Sequence, residues 1–293
     1  MRAAELIERW RAAGRVVSVA DDEVFVVDQA PAAPAEGPPV LIVHGFPTSS
    51  IDWAPVIPAL AATRRVVLLD LPGFGLSSKE DRAYSLFDQA DVIEAVAASL
   101  DLDEVDLVTH DMGDSVGGEL LARSLEDVLS FAVRHRVVSN GSIYVDLARL
   151  TEGQQMLESL PDEALPEGLT PDASAMAVTL AATMASAGPE DQSHLEAAAE
   201  LVVADAGATL LPRIFRYFEE RRRNESRWTG AIESHPAPVT VVWGDQDPIA
   251  VIEMAERLVD RRRDAQYLRL DGVGHYPMLE APARFATAVA SGL

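Results

Sequence analysis

Side chains able to supply a nucleophile, an acid and a base stand in this chain where apolar runs stop. Asp111 closes the run V-D-L-V-T-H within V-D-L-V-T-H-D-M-G-D-S-V-G-G, residues 105–118. Asp247 lies in G-D-Q-D-P after V-T-V-V-W, and His275 lies in D-G-V-G-H-Y-P after Gln266–Leu270. A carboxylate can attack an electrophilic carbon and form an ester, splitting one hard displacement into two easier steps. An imidazole oriented by a second carboxylate can then activate water. Where strands alternate with helices, ligands sit outside the carboxyl ends of the strands, so chemistry is expected where strands end. His44, Gly45, Phe46 and Pro47, after Val40–Val43, occupy a fourth such end.

Around Asp111 an apolar strand pattern breaks into a Gly-spaced turn and then a helical pattern. Val105, Leu107 and Val108 read as a strand buried on both faces, and Gly117 to Ala122 lead into a helix. A strand, a tight turn and a helix hold one side chain proud of a sheet, here Asp111 within Thr109-His110-Asp111-Met112-Gly113. A second register competes, because Gly113-Asp114-Ser115-Val116-Gly117 is a literal G-x-S-x-G that would make Ser115 the nucleophile. Moving the turn to Ser115 would draw His110, Asp111 and Gly113 into a central strand, where buried charge is expensive and Gly packs poorly. Asp111 is therefore preferred, and Ser115 reads as a small residue of the first helical turn. Asp245 reads as a turn or cap residue. His44 and His110 read as residues that hold backbone near the site, not as the base, and Trp10 and Trp53 as packing residues.

The elements that must position these groups follow from the patterning. Arg15–Ala20 and Glu23–Asp28 read as an antiparallel hairpin, and a Pro-rich loop over 30–39 leads to the buried run Val40–Val43. A helix over 50–60, a strand over 65–70, a helix over 86–100 and a strand over 136–139 follow. From Gly141 no strand-like run occurs for nearly a hundred residues. Helical segments over 151–160, 172–186, 190–206 and 210–223 are punctuated by Pro161, Pro171, Pro189 and Pro212. Strand texture resumes at Pro238. Alternating strands and helices imply a mostly parallel α/β sheet with right-handed crossovers, interrupted by a helical insertion.

With 47 acidic against 24 basic residues the net charge is −23, which repels polyanions and argues against nucleic acid or an anionic membrane as partner. The triplets Arg221–Arg223 and Arg261–Arg263 are accordingly read as solvated helix faces. No cysteine is present, so disulfide and thiolate chemistry are excluded. The amino terminus lacks the apolar core of a signal peptide, and no run approaches the ~20 apolar residues of a membrane span. A cytoplasmic protein is expected.

The motifs H-G-F-P-T-S-S, D-L-P-G-F-G-L-S-S, H-D-M-G-D, W-G-D-Q-D-P and G-V-G-H-Y-P, in that order, closely resemble the α/β-hydrolase family, in its epoxide hydrolase and haloalkane dehalogenase branch. S-N-G-S-I-Y at 139–144 and R-W-T-G-A at 227–231 further resemble the mesoderm-specific transcript subgroup. The resemblance implies a mostly parallel eight-stranded sheet flanked by helices, formed by residues 1–141 and 232–293, with a helical cap over 142–231. It implies Asp111 as nucleophile, Asp247 as acid and His275 as base, with the backbone N–H groups of Phe46 and Met112 as oxyanion donors. His44, Gly45, Pro47 and His110 would support the pocket, with Phe46–Pro47 a candidate cis peptide. No metal or cofactor is needed. The expected partners are a small apolar epoxide and water, with a homodimer left open.

The leaving group separates the branches. In the family a dehalogenase cradles halide with a Trp after the nucleophile and often an Asn in the oxyanion loop; here Met112 and Phe46 stand at those places, and neither side chain donates a hydrogen bond. An epoxide hydrolase needs a phenol from the lid to protonate the opening oxygen. The resemblance places such a phenol at Tyr217, with Tyr144 as candidate second; Met156 stands where that second tyrosine is expected. Tyr84, Tyr267 and Tyr276 are assigned to the scaffold. Three readings stay open: an epoxide hydrolase, another hydrolase (a dehalogenase or a Ser115 esterase), and a catalytically idle binding protein, which would have no use for the complete set of nucleophile, acid and base.

Overall fold

The computed structural model describes residues 2–293. Its elements in chain order are α1 (Ala3–Ala13), β1 (Arg15–Val19), β2 (Asp22–Gln29), β3 (Val40–Val43), α2 (Ile57–Leu60), β4 (Val66–Leu69), α3 (Leu86–Ser99), β5 (Glu104–His110), α4 (Met112–Leu125) and β6 (Ala132–Ser139). The inserted segment carries α5 (Glu152–Ser159), α6 (Ala173–Ala181), α7 (Pro189–Val203), α8 (Leu211–Phe215) and α9 (Tyr217–Ser234). The chain closes with β7 (Val239–Gly244), α10 (Ile252–Arg261), β8 (Gln266–Leu270), α11 (Pro277–Glu280) and α12 (Pro282–Ser291).

The sheet has eight strands in the order β1-β2-β4-β3-β5-β6-β7-β8. The β1–β2 and β2–β4 pairs are antiparallel and the others parallel, so β3, β5, β6, β7 and β8 all deliver their carboxyl ends to one edge. The apolar runs are buried throughout in β3, β4 and β7, as expected of strands covered on both faces.

Several elements differ from the sequence expectations. Helix α1 was not anticipated; its Trp10 is buried and lies 6.5 Å from the ring of Phe25. The expected helix over 50–60 is a 3-10 turn, Ser50–Trp53, followed by the short α2, because Pro55 and Pro58 lack the N–H groups that a continuous helix would donate. Helix α6 stops at Ala181, and the carbonyl of Thr183 just beyond it accepts the N–H of His275 at 3.1 Å. The expected cap boundary at residue 231 falls inside α9, which packs along α4. Glu119 of α4, 2% exposed, receives Arg227 Nε and Trp228 Nε1 of α9 at 2.7 and 2.8 Å, and Arg123 Nε at 3.0 Å. Glu220 of α9 accepts the hydroxyl of Ser85 and the N–H of Leu86 at the start of α3.

Two arginines expected on solvated faces are buried instead. Arg262 donates to the carbonyls of Glu233 and His235 at the carboxyl end of α9 and pairs with Asp264. Arg221 is 2% exposed and donates from Nε to Ser115 Oγ at 2.6 Å. Among the described residues no helix is long and apolar enough to cross a membrane.

Candidate active site

Asp111 directly follows β5 and is the N-cap of α4, with φ 52° and ψ −116°. A non-glycine residue at such angles is strained, and strain of this kind persists where surrounding structure over-determines it. The surroundings here are tight. A Cβ on Gly45 would lie 2.5 Å from that of Asp111, and one on Gly113 would lie 2.5 Å from the carbonyl oxygen of Val43. A Cβ on Gly117 would lie 2.7 Å from the Thr109 methyl. Both glycines of the G-x-S-x-G match are thus required by the packing of α4 against β3 and β5, whatever Ser115 does. Ser115 sits inside the first turn of α4, 3% exposed, with Arg221 on its hydroxyl.

The carboxylate of Asp111 accepts the Phe46 N–H at 2.7 Å and lies 3.9 Å from His275 Nε2. The Phe46–Pro47 bond is cis. Met112 begins α4, where backbone N–H groups lack helical partners. His275 Nδ1 meets Asp247 Oδ2 at 2.8 Å. The other Asp247 oxygen accepts the N–H groups of Ile249 and Ala250 at 2.8 and 3.0 Å, so the orienting carboxylate is held from both sides.

Burial works to lower the pKa of His275, but the charge and hydrogen bond of Asp247, then the charges of Asp111 and Glu280, outweigh it and raise it to about 9. The resting imidazole is therefore protonated at neutral pH, between two carboxylates. His110 is the opposite case, lowered to about 4 by burial and then by His275, and its Nε2 donates to the His275 carbonyl at 2.8 Å. His44 Nε2 accepts the Leu71 N–H, which leaves Nδ1 to donate to the Gly45 carbonyl; burial lowers its pKa as well. Both rings hold backbone.

A cavity of about 390 Å³ opens beside this group. Phe46, Pro47, Ile249, His275 and Tyr276 form its floor, and Leu157, Met176 and Leu180 of α5 and α6 are among its roof. Asp111, 3% exposed, is held between Phe46 and His275. Met156 lines the cavity, so the position where a second lid phenol was expected does face it, but carries a thioether.

Tyr217 begins α9 and is 3% exposed, with its ring 5.5 Å from that of Phe46. It is not part of the cavity wall; with Met112 and Ile214 it bounds a small pocket of about 10 Å³. Burial and then the charge of Asp111 push its phenol up, against an opposing pull from Arg221. Tyr144 is placed elsewhere, which corrects its candidacy as the second phenol. Its hydroxyl donates to Glu233 at 2.8 Å and its ring lies 4.7 Å from the Arg257 guanidinium, a charge cluster that occupies the donor the reaction would need.

Sequence reasoning missed three neighbours of the site. Asn140, with φ 47°, donates to Asp247 at 2.8 Å and accepts the Gly244 N–H at 3.0 Å. Its signal was the Asn-Gly pair after a strand, where Asn tolerates a left-handed backbone. Tyr276, assigned to the scaffold, lines the cavity with its ring 5.0 Å from that of His275. Arg221 had no signal, because it stands in a run of three arginines.

The alpha/beta hydrolase fold family model matches residues 38–282. The chain belongs to that family. It is 36% identical over 292 residues to the putative hydrolase LipZ of Mycobacterium tuberculosis, covering 97% of each chain. It is 27% identical to the human mesoderm-specific transcript homolog protein over 307 residues, covering 96% of this chain and 86% of that one. A haloalkane dehalogenase of Mesorhizobium japonicum is 41% identical over 100 residues, 34% of this hydrolase-fold chain and 32% of that protein.

Proposed function

We propose that this α/β hydrolase is an epoxide hydrolase that forms and then hydrolyses an alkyl ester on Asp111. The observation that carries the reading is the strained Asp111 with its carboxylate 2.7 Å from the Phe46 N–H and 3.9 Å from His275 Nε2, the Phe46 ring in turn lying 5.5 Å from that of the buried Tyr217. Asp111 attacks an epoxide carbon, the C–O bond opens, and Tyr217 gives its proton to the departing oxygen. Water, deprotonated by His275, then attacks the ester carbonyl. The Phe46 and Met112 N–H groups stabilise the resulting oxyanion, a contribution of ~3 to 4 kcal/mol for a single donor. Collapse returns the Asp111 carboxylate and a vicinal diol.

The first step prepares the second. Resting His275 is held protonated partly by the charge of Asp111, and that charge disappears when Asp111 becomes an ester. His275 then binds its proton less tightly; passing it to the Tyr217 phenolate restores the acid and frees the base when one is needed.

Dehalogenation is the second reading, favoured by the partial match to a haloalkane dehalogenase. Against it, neither Met112 nor Phe46 has a side-chain donor, and two indole N–H groups are committed elsewhere, Trp228 to Glu119 and Trp243 to the Ala250 carbonyl. The cavity lining, which among the described residues holds no Lys, Arg, Asp or Glu, supports a neutral and largely apolar substrate. Activity in the cytoplasm is part of the same reading. Turnover of styrene oxide, beside 1-chlorobutane and a nitrophenyl ester, tests it: diol from the epoxide and negligible halide release are expected, and the reverse would overturn it.

A further inference from the structure

Arg221 is among the largest fully buried side chains of the described residues, although α9 is otherwise rich in exposed arginine. Taking a guanidinium out of water is expensive unless it is fully paired, and an apolar side chain of similar volume is often as stable. Its pairing here is incomplete. Nε donates to Ser115 Oγ, but Nη2 is buried without a hydrogen-bond partner, as is Oδ2 of Asp114. Burial raises the Asp114 carboxyl well above the usual carboxylate range, against a smaller pull from Arg221, so it is a poor counter-charge for the guanidinium; it accepts the Thr109 hydroxyl instead. Stability alone gives little reason to keep a cation in this place.

Its neighbours supply a different reason. Tyr217 stands one helical turn before Arg221 on α9, and the guanidinium carbon lies 5.0 Å from the centre of its ring, within cation–π range. Ser115 lies in the first turn of α4, whose N-cap is Asp111. One side chain therefore touches the phenol of the lid and the helix that carries the carboxylate.

We propose that Arg221 is a positioning residue for epoxide opening, fixing the Tyr217 ring by its face and fastening α9 to α4 through Ser115. The inference rests on the epoxide hydrolase reading, in which Tyr217 is the acid. Its positive charge over the ring also favours the electron density that builds on the phenol oxygen as the proton leaves. Lysine would not serve, because it lacks both the planar face and the fixed Nε donor.

A double-mutant cycle of Arg221→Met and Tyr217→Phe tests this, read as the single-turnover rate of Asp111 alkylation by styrene oxide. Arg221→Met is expected to slow alkylation by about tenfold or more in the wild-type background and by less than about twofold when Tyr217 is already Phe, the signature of two residues acting through one group. KM should change less than kcat, and Arg221→Lys should restore little. Equal factors in both backgrounds, or full rescue by Lys, would overturn the inference while leaving the epoxide reading intact. Failure of wild type to be alkylated, or an unchanged rate in Tyr217→Phe alone, would overturn the epoxide reading and this inference with it. If Arg221→Met does not fold, Ser115→Ala, which removes only the anchor, completes the same cycle with the same expected loss of additivity.

Discussion

At the scale of single residues, the resting charge of the site makes a pH prediction. The hydrolytic step needs neutral His275, whose pKa of about 9 in the free enzyme is held up partly by Asp111. Alkylation removes that anion, so the midpoint for hydrolysis of the alkyl-enzyme should lie below the midpoint at which His275 titrates in the free protein. Single-turnover hydrolysis against pH, beside a histidine NMR titration of the free enzyme, measures both; coincident midpoints would contradict the mechanism. Asn140 gives a second prediction. Asn140→Ala strands the Gly244 N–H and leaves Asp247 Oδ2 with His275 but without its amide donor, and should cost about 1 to 3 kcal/mol of stability and slow the water step. Thermal unfolding and single-turnover hydrolysis read the two effects. Asp111, Asp247 and His275 were singled out in the sequence because each follows a segment that reads as a strand, and the structure brings all three together. Arg221 and Tyr144 were not, because burial and hydrogen-bond partners arise from tertiary packing that spacing along the chain does not encode.

At the scale of elements, strand and helix periods read well where one pattern ran unbroken, as in β3, β5 and α3. Buried charge was expected to be excluded from a central strand, yet Asp106 is fully buried in β5, where Arg64 and His135 pair with it. The strand also runs one residue further than the apolar run, to His110. Asp111 is the turn because its backbone is strained and the glycines after it touch β3 and β5, not because charge is forbidden before it. A run of helices without a strand between β6 and β7 was legible in the sequence, but not the way α9 doubles as a partner of α4. That attachment makes its own prediction. Glu119→Ala leaves Arg227, Arg123 and the Trp228 N–H without their shared acceptor and should destabilise the protein by about 3 kcal/mol, with loss of activity following loss of lid order. Urea unfolding is the check, and an unchanged midpoint would mean that α9 is held by apolar packing alone.

At the scale of the whole molecule, a chain of net charge −23 surrounds a cavity whose described lining has no Asp, Glu, Lys or Arg. An anionic epoxide is therefore repelled at long range, and the protonated His275 it meets in the cavity floor is already flanked by the carboxylates of Asp111 and Asp247. The ratio of kcat/KM for a neutral epoxide over a carboxylate-bearing analogue of similar size should be large and should fall as salt screens the long-range part. A ratio near one, or one insensitive to ionic strength, would contradict this account. The most direct test of the central claim traps the ester. His275→Gln removes the base but not the nucleophile, so styrene oxide should add one substrate mass to the intact protein, and peptide mapping should place it on Asp111. Ser115→Ala in the same background should still carry the adduct, and Asp111→Asn should not. An unmodified mass from the folded His275→Gln protein, or an adduct mapped to Ser115, would contradict the assignment of Asp111 as the nucleophile.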